Sequence, residues 1–459
     1  MNTKQIRQTI LDLAIRGELV PQDPTDEPAS VLLERIRAEK EQLIKDKKLK
    51  RDKKDNEPID EVPFELPEGW VWCRLGDLLI NRDGERKPLS SSVRSKQIKK
   101  KYDYYGATGV IDKVDNYIFK EKLLLVGEDG ANLLSKVKPN AFFAEGKYWV
   151  NNHAHILDAT NKNLLDYVII VINTISLDNY ITGTAQPKLS QENLNKIPIP
   201  LPPLAEQYRI LQKVEQLLTI VDAIEQLQEQ LKALVKQTKN QVLNYAIAGK
   251  LTHQDPNDEP AEELLKRIGK TTTTAADTPY EKLPKGWTWC RLGDIGTINP
   301  KNKLNDELDV SFIPMPLISD GFSNVHTSEV KKWENIKKGY THFCNEDIGI
   351  AKITPCFENR KSVIFNNLKN GVGAGTTELY ILRNNKTLSF NKYIFWFIKT
   401  QEFINNGIKA FTGAVGQQRI SRDFIENTLI PLPPLAEQHR IVQKIETYFS
   451  FLDTIENSL

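Results

Sequence analysis

The sequence is poor in the residues that build disulfide frameworks and metal clusters. Only 4 cysteines and 6 histidines occur among 459 residues, and no two cysteines have a CxxC spacing. Neither a disulfide scaffold nor a zinc cluster is therefore supported, and we expect a cytoplasmic protein. No stretch approaches the roughly 20 apolar residues that a membrane span needs, and the first residues are charged and amphipathic, unlike a signal peptide. We accordingly predict no membrane partner.

The chain also has little net charge. Its 62 basic and 60 acidic residues leave a formal charge of +2. This balance neither requires nor excludes nucleic acid, because basic residues can concentrate on one face while acidic residues elsewhere cancel them. A lysine-rich run from Lys47 to Lys54 is interleaved with aspartates, which indicates a solvated linker. A length of 459 residues predicts roughly two to four domains.

Familiar catalytic motifs are missing. The sequence has no GxxxxGK[ST], no GxGxxG after a strand, no HExxH and no Asn/Asp-Pro-Pro-aromatic motif of an amino-methyltransferase. His153 and His155 would share one face of a strand, but no third metal ligand accompanies them in the sequence. We therefore predict no metal site and no catalytic residue.

One enzymatic alternative remains, a DNA endonuclease with its own metal-dependent site. Metal nucleases use Asp…Glu-x-Lys sets to hold Mg²⁺ and activate water. Two loose sets of this kind are Asp320, Glu329 and Lys331, and Asp129, Glu145 and Lys147. A chain with 27% charged residues also produces such spacings by chance.

What the sequence does contain is duplication. The opening phrase at 66–77 (LPEGWVWCRLGD) returns at 283–294 (LPKGWTWCRLGD), and the closing phrase at 200–207 (PLPPLAEQ) returns unchanged at 431–438. A third phrase at 11–19 returns at 243–251, each time followed by an acidic turn with prolines. Between the opening and closing phrases, the two inserts differ. A duplicated frame with two unlike inserts predicts recognition of a two-part target.

The placement of the third phrase is informative. In the middle of the chain it follows the helix that is predicted after Pro203, whereas the equivalent helix after Pro434 stops at Leu459. The missing continuation corresponds to residues 1 to about 20. This order predicts a pseudo-twofold circular arrangement in which the second unit is split between the two ends of the chain.

The helices after the closing phrases carry a heptad pattern. Apolar residues recur at steps of three and four at Ile210, Val214, Leu217, Val221, Ile224, Gln228, Leu231, Val235, Thr238, Val242 and Tyr245, with two polar exceptions. The partner pattern is Ile441, Ile445, Tyr448, Leu452, Ile455 and Leu459, resumed by Ile6, Ile10 and Leu13. Roughly 40 helical residues span about 60 Å. We predict two long antiparallel helices that form a coiled-coil spacer.

The inserts predict α+β domains. Strand-like runs occur at 122–127, 149–156, 167–172, 348–353, 361–365 and 378–382, and a helix-like run at 391–399. Shorter helices are predicted from Ala29 to about Lys50 and from Ala261 to Ile268. The segment Thr271–Thr278 is predicted to be a linker.

Several polar loops are candidate DNA contacts. Both inserts end in a glycine-containing loop, 182–190 and 412–421, that carries glutamine, a cation and a final serine. Glutamine can bind the adenine edge, and Lys or Arg can bind guanine or phosphate. The loops could equally serve structural closure, with the serine only a helix cap. Lys99–Gly109 combines cations with tyrosines, and the turns 127–132 and 352–361 are further polar candidates.

These phrases resemble the specificity subunit of type I restriction-modification systems, over essentially the whole chain. The resemblance implies two target recognition domains joined by two long antiparallel helices. It predicts an N-terminal helical segment (1–60), a first target recognition domain (61–203), a central region (204–282), a second target recognition domain (283–434) and a C-terminal helix (435–459).

By the same resemblance, the chain is a non-catalytic DNA-binding subunit that recognises a bipartite, asymmetric site. Its implied partners are double-stranded DNA, two methyltransferase (modification) subunits and the restriction subunits. No cofactor is expected in this chain, whereas S-adenosylmethionine, ATP and Mg²⁺ are expected on the partners. The predicted DNA contacts are Lys99, Lys100, Tyr104, Gln186 and Lys188 in the first domain, and Arg360, Gln417, Gln418 and Arg419 in the second.

Overall fold

The computed structural model of the chain describes residues 2–50, 59, 62–183, 185–271, 282–387, 389–414 and 416–459. The chain forms two compact units, Met1–Leu227 and Gln228–Leu459. Residues 51–54 of the lysine-rich run and 272–278 of the predicted linker lie outside the described residues. Each unit contains, in order, a third phrase, an opening phrase, an insert and a closing phrase. At the level of the compact unit the duplication is therefore a tandem repeat, and neither unit is split along the chain.

The N-terminal unit combines helices with short strands. Its helices are α1 (Thr3–Arg16), α2 (Ala29–Lys45), α3 (Leu75–Leu78), α4 (Ser91–Ser95), α5 (Asn132–Ser135), α6 (Asn163–Thr174), α7 (Gln191–Asn195) and the first part of α8 (Leu204–Ile247). Its strands are β1 (Val71–Arg74), β2 (Ile80–Asn81), β3 (Tyr102–Gly106), β4 (Gly109–Val114), β5 (Leu123–Gly127), β6 (Ala141–Ala144), β7 (Tyr148–Val150), β8 (Ala154–Asp158), β9 (Ile181–Thr182), β10 (Lys188–Leu189) and β11 (Pro198–Leu201).

The C-terminal unit has the same kinds of element. Its helices are the rest of α8, α9 (Ala261–Arg267), α10 (Leu292–Ile295), α11 (Trp333–Ile336), α12 (Asn391–Ile398), α13 (Gln401–Lys409), α14 (Arg422–Asn427) and α15 (Leu435–Asn457). Its strands are β12 (Thr288–Arg291), β13 (Gly296–Ile298), β14 (Asp309–Ile313), β15 (Glu329–Lys332), β16 (Thr341–Cys344), β17 (Ile348–Ala351), β18 (Ser362–Ile364), β19 (Val372–Gly375), β20 (Leu379–Asn384) and β21 (Leu429–Leu432).

Each insert is built around a four-stranded antiparallel sheet. The order is β2-β8-β5-β6 in the N-terminal unit and β13-β20-β17-β18 in the C-terminal unit. A second sheet accompanies each, β4-β3-β7 in one and β15-β14-β19-β16 in the other. The central strand pairs, β5 with β8 and β17 with β20, are equivalent in the two units and support the loops described below.

The repeated phrases come together within each unit. The opening strand pairs with the closing strand, β1 with β11 and β12 with β21. In the N-terminal unit the Trp70 indole N–H donates to Glu206 at 3.0 Å, and in the C-terminal unit Trp287 donates to Glu437 at 2.8 Å. Burial raises the pKa of Glu206, because it disfavours the charged carboxylate by more than the hydrogen bonds from Trp70 and Gln22 favour it. The repeated sequence therefore encodes a repeated structural junction.

Antiparallel helix pairing occurs in both units. In the N-terminal unit, Arg7 of α1 contacts Asp222 and Glu225 of α8. In the C-terminal unit, Lys239 of α8 lies 2.6 Å from Asp453 and 2.8 Å from Glu456 of α15. Contacts of the segments that follow α1 and α8 show that the helices run antiparallel. As the chain advances from Arg7 to Gln22, its partners move back from Asp222 to Glu206, and from Lys239 to Gln254 they move back from Asp453 to Glu437.

The heptad assignment needs correction towards the end of α8. Val235 and Val242 of the predicted seam are buried, but Leu231 and Tyr245 are exposed. The buried positions also include residues predicted outside the seam: Lys239, Leu243, Ala246 and Ile247. On α15, Phe449 is buried, whereas the predicted seam residues Tyr448 and Ile455 are exposed. A 3.6-residue helix drifts against a 3.5-residue heptad, and the ion pairs of Lys239 allow a charged residue at a buried position.

Most element predictions are confirmed, with two corrections. The run at 167–172 belongs to helix α6 and is not a strand, because the buried residues Leu164, Tyr167, Val168, Val171 and Ile172 follow helical spacing. The run at 149–156 is broken into β7 and β8 by a turn. The strands around 123–127, 348–351, 362–364 and 379–382 and the helices α2, α9 and α12 are as predicted. In the described residues, every helix is too short or too polar to cross a membrane.

Candidate nucleic-acid interface

Two equivalent loops lie at the ends of the inserts. We call residues 183–188 the first loop and residues 413–419 the second loop, and within them Thr184 and Val415 lie outside the described residues. β9 and β10 pair antiparallel beneath the first loop, and Thr412 pairs with Arg419 beneath the second. Gly183 and Gly413 have φ values of 85° and 108°, which favour glycine. A glycine at the first residue of each loop therefore allows the tight turn that begins the loop.

The same backbone bonds attach both loops to the central strands. Leu189 N–H donates to the Glu128 carbonyl at 2.8 Å, and Ile420 N–H donates to the Lys352 carbonyl at 3.0 Å. Glu128 and Lys352 are equivalent, since each directly follows its central strand, β5 or β17. The loops are therefore held by bonds that do not depend on side-chain identity.

The side chains beneath the loops differ. His155 Nε2 lies 2.8 Å from the Leu189 carbonyl, and at the equivalent place the Tyr380 hydroxyl donates to the Ile420 carbonyl at 3.3 Å. The strand registers show that these two positions are equivalent. His155 pairs with Val126, two residues before Glu128, and Tyr380 pairs with Ile350, two residues before Lys352. Each insert therefore supports its loop with a different polar side chain at one position.

An ion-pair network surrounds His155. Its Nδ1 lies 2.6 Å from Asp83, while Glu128 pairs with Arg86 at 2.6 Å and with Lys188 at 3.3 Å. Burial raises the pKa of Asp83, but the hydrogen bond and charge of His155, with Arg86 and a backbone N–H, outweigh it and keep this pKa below the usual range. The loop cation Lys188 is thereby tied to the sheet.

The same cluster has the composition of a cation site. Asp83, Glu128 and His155 each offer a ligand atom, and these atoms lie within 4.8 Å of one another. Carboxylate and imidazole suit divalent metals. Here, however, Arg86 and Lys188 already neutralise the carboxylates, and His155 is bonded on both ring nitrogens. The geometry is that of a closed ion-pair network.

The second loop has a simpler arrangement. Arg419 makes two hydrogen bonds to the Glu378 carboxylate, at 2.9 and 3.1 Å. These bonds lower the pKa of Glu378, since they favour its charged form. Lys352 lies over the Tyr380 ring at 5.2 Å. Both loop cations, Lys188 and Arg419, therefore rest on a carboxylate of their own sheet.

The predicted contact residues fall into three groups by exposure. Exposed residues are Lys99, Gln186, Lys188 and Gln417. Half-buried residues are Lys100, Gln418 and Arg419. Tyr104 and Arg360 are buried, at 1% and 6% exposure. The first loop brings Gln186 and Lys188 together, and the second loop brings Gln417, Gln418 and Arg419 together.

Tyr104 lies inside the N-terminal unit. Its hydroxyl accepts from the Leu89 N–H at 2.9 Å, and the Arg94 guanidinium lies 4.7 Å from its ring centre. This tyrosine supports the segment before the Lys99 loop, and its buried hydroxyl is committed to the backbone.

Arg360 is likewise committed. Its guanidinium donates to Asn240 at 2.9 Å and to Gln401 at 2.5 Å, so it faces α8 and α13. Its carbonyl accepts from Lys399, which also donates to the carbonyls of Gly321 and Ser323. Burial, followed by the nearby Arg360, lowers the pKa of Lys399 to about 7. The side chains of Arg360 and Lys399 both hold turns of the insert together.

Other candidates also have structural partners. Ser190 and Ser421 cap α7 and α14 by accepting from Asn193 and Phe424 N–H groups. The Asn132 side chain donates to the Lys138 carbonyl and accepts from the Lys138 N–H. In one of the two Asp…Glu-x-Lys sets the residues contact other partners, since Asp129 contacts His153 and Lys147 lies over Tyr117. In the other set, Glu329 pairs with Lys331 at 3.3 Å.

Sequence analysis missed Asp83, Arg86, His155 as a loop support, and Glu378. No local motif marks them, because they come from segments far apart in the chain and meet only through sheet pairing. The repeated Thr-Gly loops did indicate where such residues would gather.

A family model and several known proteins match the chain. The family model "Type I restriction modification DNA specificity domain" matches residues 67–233 and 284–459. The chain is 47% identical over 240 residues to the type I restriction enzyme EcoAI specificity subunit of Escherichia coli, covering 48% of this chain and 41% of that protein. It is 21% identical over 409 residues to the EcoDI specificity subunit of Escherichia coli, covering 86% and 84%. The chain thus spans about two fifths of the EcoAI and EcoEI relatives.

Solved structures share the fold. The HsdS subunit from Thermoanaerobacter tengcongensis matches with a TM-score of 0.50 and 16% identity, over 87% of this chain and 94% of that chain. A chain from work on complex assembly of the type I R-M system matches with a TM-score of 0.54 and 17% identity, over 86% and 94%. Because the two segments that match the family model make up more than half of the chain, it belongs to the family of type I restriction-modification specificity subunits.

Proposed function

We propose that the chain recognises a bipartite, asymmetric DNA site, with one half-site bound by each unit. The observation that carries this proposal is the pair of loops, which are attached by the same backbone bonds but present different side chains. Constant attachment fixes where a loop meets the duplex, and different side chains select different base edges. Two unlike loops then require two unlike half-sites.

The side chains of the two loops suit particular groups of the DNA. Gln186 and Gln417 are exposed amides that suit the N6/N7 edge of adenine, and Lys188 and Arg419 suit guanine or phosphate. Lys99 suits a phosphate of the first half-site, whereas the Lys100 ammonium is paired with Asp112 and holds its loop in shape. Gln418 completes the second loop. Tyr104 and Arg360, being buried, act in this scheme by holding their inserts in shape.

The helices supply the gap between half-sites. We propose that α8, with its antiparallel partners, forms a coiled-coil spacer in a pseudo-twofold arrangement, in which each compact unit contributes one helix pair. A rigid spacer between two recognition units fixes the half-site separation by geometry, as in dimeric DNA-binding proteins. Bases within the gap would then be unspecified.

The chain is proposed to be non-catalytic and to direct other subunits. Two methyltransferase (modification) subunits would use S-adenosylmethionine, and restriction subunits would use ATP and Mg²⁺. A methyltransferase must extrude its target base, so a separate subunit that grips the same duplex fits the division of labour. The cytoplasm, where host DNA is accessible, is the proposed location.

The first test is a single-molecule methylation map of host DNA with the gene intact and deleted. We expect one bipartite, asymmetric methyl-adenine motif to vanish on deletion. An unchanged map in cells where the partner subunits are expressed would contradict the proposal.

Exchange of one insert tests the independence of the units. Replacing residues 66–200 by the insert of a relative with a different motif should change one half-site and leave the other half-site and the gap unchanged. A change in both half-sites would show that the two units do not recognise DNA separately.

A further inference from the structure

Ile98 lies at the tip of a loop in the N-terminal unit and is 93% exposed, more than any other large hydrophobic residue that the structure describes. Single exposed hydrophobic residues are common on protein surfaces and need no special explanation. Ile98, however, combines a backbone fixed by hydrogen bonds with exposed lysines on both sides of it in the sequence, and this combination points to a ligand.

The backbone of the loop is fixed by one carboxylate. Asp115 accepts from the Lys100 N–H at 2.6 Å and from the Ile98 N–H at 3.3 Å. Its own N–H donates to the Gln97 side chain at 2.8 Å. Lys100 adopts a φ of 38°, a conformation that a lysine rarely takes unless its surroundings impose it. Ile98 is therefore presented by a built turn.

A second carboxylate fixes the base of the loop. Asp112 accepts from Arg94 at 2.9 Å and from Lys100 at 3.0 Å. Together with the Lys113 backbone N–H, the largest cause, these bonds lower the pKa of Asp112 to about 2. The arrangement therefore persists at physiological pH.

Exposed lysines flank Ile98 in the sequence. Lys96, Lys99 and Lys101 are exposed on both sides of Ile98. The same composition recurs once in this unit at Val137, which is 83% exposed between Lys136 and Lys138. Duplex DNA offers a matching surface, because an apolar base stack lies between two rows of phosphates. Proteins that kink DNA insert Ile, Leu, Phe or Met between base steps while cations hold the backbone.

We propose that Ile98 is a wedge that inserts between base pairs of the bound duplex, while Lys96, Lys99 and Lys101 contact the flanking phosphates. This inference rests on the proposed DNA recognition and deepens it, since it assigns a DNA-deforming residue outside the two loops. A preformed turn reduces the entropy that the loop would lose on insertion. Because some base-pair steps unstack more easily than others, this deformation would make binding depend on sequence without any hydrogen bond to a base edge.

The test uses duplexes of 40 base pairs selected from a random-sequence pool by the wild-type chain. Affinity across a salt series and DNA bending by end-to-end energy transfer are measured for wild type, Ile98→Ala, Lys99→Ala and the control Ile111→Ala, a half-exposed isoleucine on β4. Ile98→Ala should weaken binding by about tenfold and reduce the bend, with an unchanged salt slope. Lys99→Ala should lower the slope by about one and keep the bend. Ile111→Ala should behave as wild type.

The outcomes separate the two proposals. If no duplex is enriched, the DNA recognition itself fails. If duplexes are enriched but Ile98→Ala binds and bends them like Ile111→Ala, the wedge is wrong and DNA recognition stands. If Ile98→Ala leaves DNA binding intact and instead reduces co-purification with a co-expressed modification subunit, the tip is a protein contact and the wedge is likewise overturned.

Discussion

At the scale of single residues, the two units show how one scaffold accepts different chemistry. His155 and Tyr380 occupy one structural position and both bond the carbonyl that follows a loop cation, at 2.8 and 3.3 Å. His155 contacts the carboxylates of Asp83 and Glu128, whereas Tyr380 has the cation Lys352 over its ring. A change at this position therefore requires changes at several others, which keeps each insert internally consistent.

The buried carboxylate of Asp83 gives a pH prediction. Its folded-state pKa lies below the ordinary value of 3.8, so its ionised form contributes stability above that value and loses it as the pH falls through the lowered pKa. Asp83→Asn should reduce the stability of the N-terminal unit by about 2 kcal/mol at pH 7, because His155 and Arg86 lose a charged partner. The difference from wild type should shrink as the pH falls below about 4.

Urea unfolding from pH 7 to pH 3, followed by hydrogen exchange in β5 and β8, measures this difference. Asp166→Asn, at a carboxylate paired with Lys122 on a half-exposed surface, is the matched control and should have little effect at any pH. A difference for Asp83→Asn that stays constant with pH would show that its ionisation contributes no stability.

At the scale of elements, the repeated junction depends on close backbone approach. Gly249 follows α8 with a φ of 66°, and a Cβ there would lie 2.3 Å from a side-chain carbon of Pro284 in the opening phrase. Its counterpart Gly17 has a φ of 73° and meets Pro67 at 2.5 Å. The glycine of the third phrase is therefore required for two separate reasons, its conformation and the lack of space.

Two glycine variants separate the cost of the backbone conformation from the cost of the steric clash. Gly269, in the same unit, has a φ of 69° but open space around it. We expect Gly269→Ala to cost about 1 kcal/mol for conformation alone, and Gly249→Ala to cost about 3 kcal/mol or more because Pro284 must also move. Thermal unfolding of both variants gives the comparison. Equal costs would show that the junction relaxes without penalty.

Sequence patterns predicted the elements that follow local rules, and they failed where tertiary contacts decide. The third, opening and closing phrases identified the junction because Trp, Gly and Pro have fixed roles there. The run at 167–172 was assigned to a strand because a short apolar run does not distinguish a buried strand from a buried helix face. Lys239 was missed because a lysine is expected outside a seam, and only its pairing with Asp453 and Glu456 explains its burial. His155 was noticed but its loop contact was not, since its partners are distant in sequence.

At the scale of the whole molecule, the proposed division of labour is between units that select bases and helices that set distance. Each unit holds its own antiparallel helix pair through ion pairs at equivalent places, Arg7 with Asp222 and Glu225 in one, Lys239 with Asp453 and Glu456 in the other. If the helices act as the spacer, the length of α8 and the identity of the inserts should be separable properties. Half-site sequence and gap length would then change independently.

An insertion in α8 tests this separation. Seven residues added between Leu227 and Gln228 lengthen a helix by about 10 Å, which corresponds to about 3 base pairs of duplex, and one heptad keeps the seam on the same face. We expect the methylated motif to keep both half-sites and to gain about 3 unspecified base pairs. Seven residues added after Gly269, beyond the end of α9, are the control and should leave the motif unchanged. New half-site bases with an unchanged gap would show that α8 orients the recognition surfaces, and the spacer would have to be sought elsewhere in the chain.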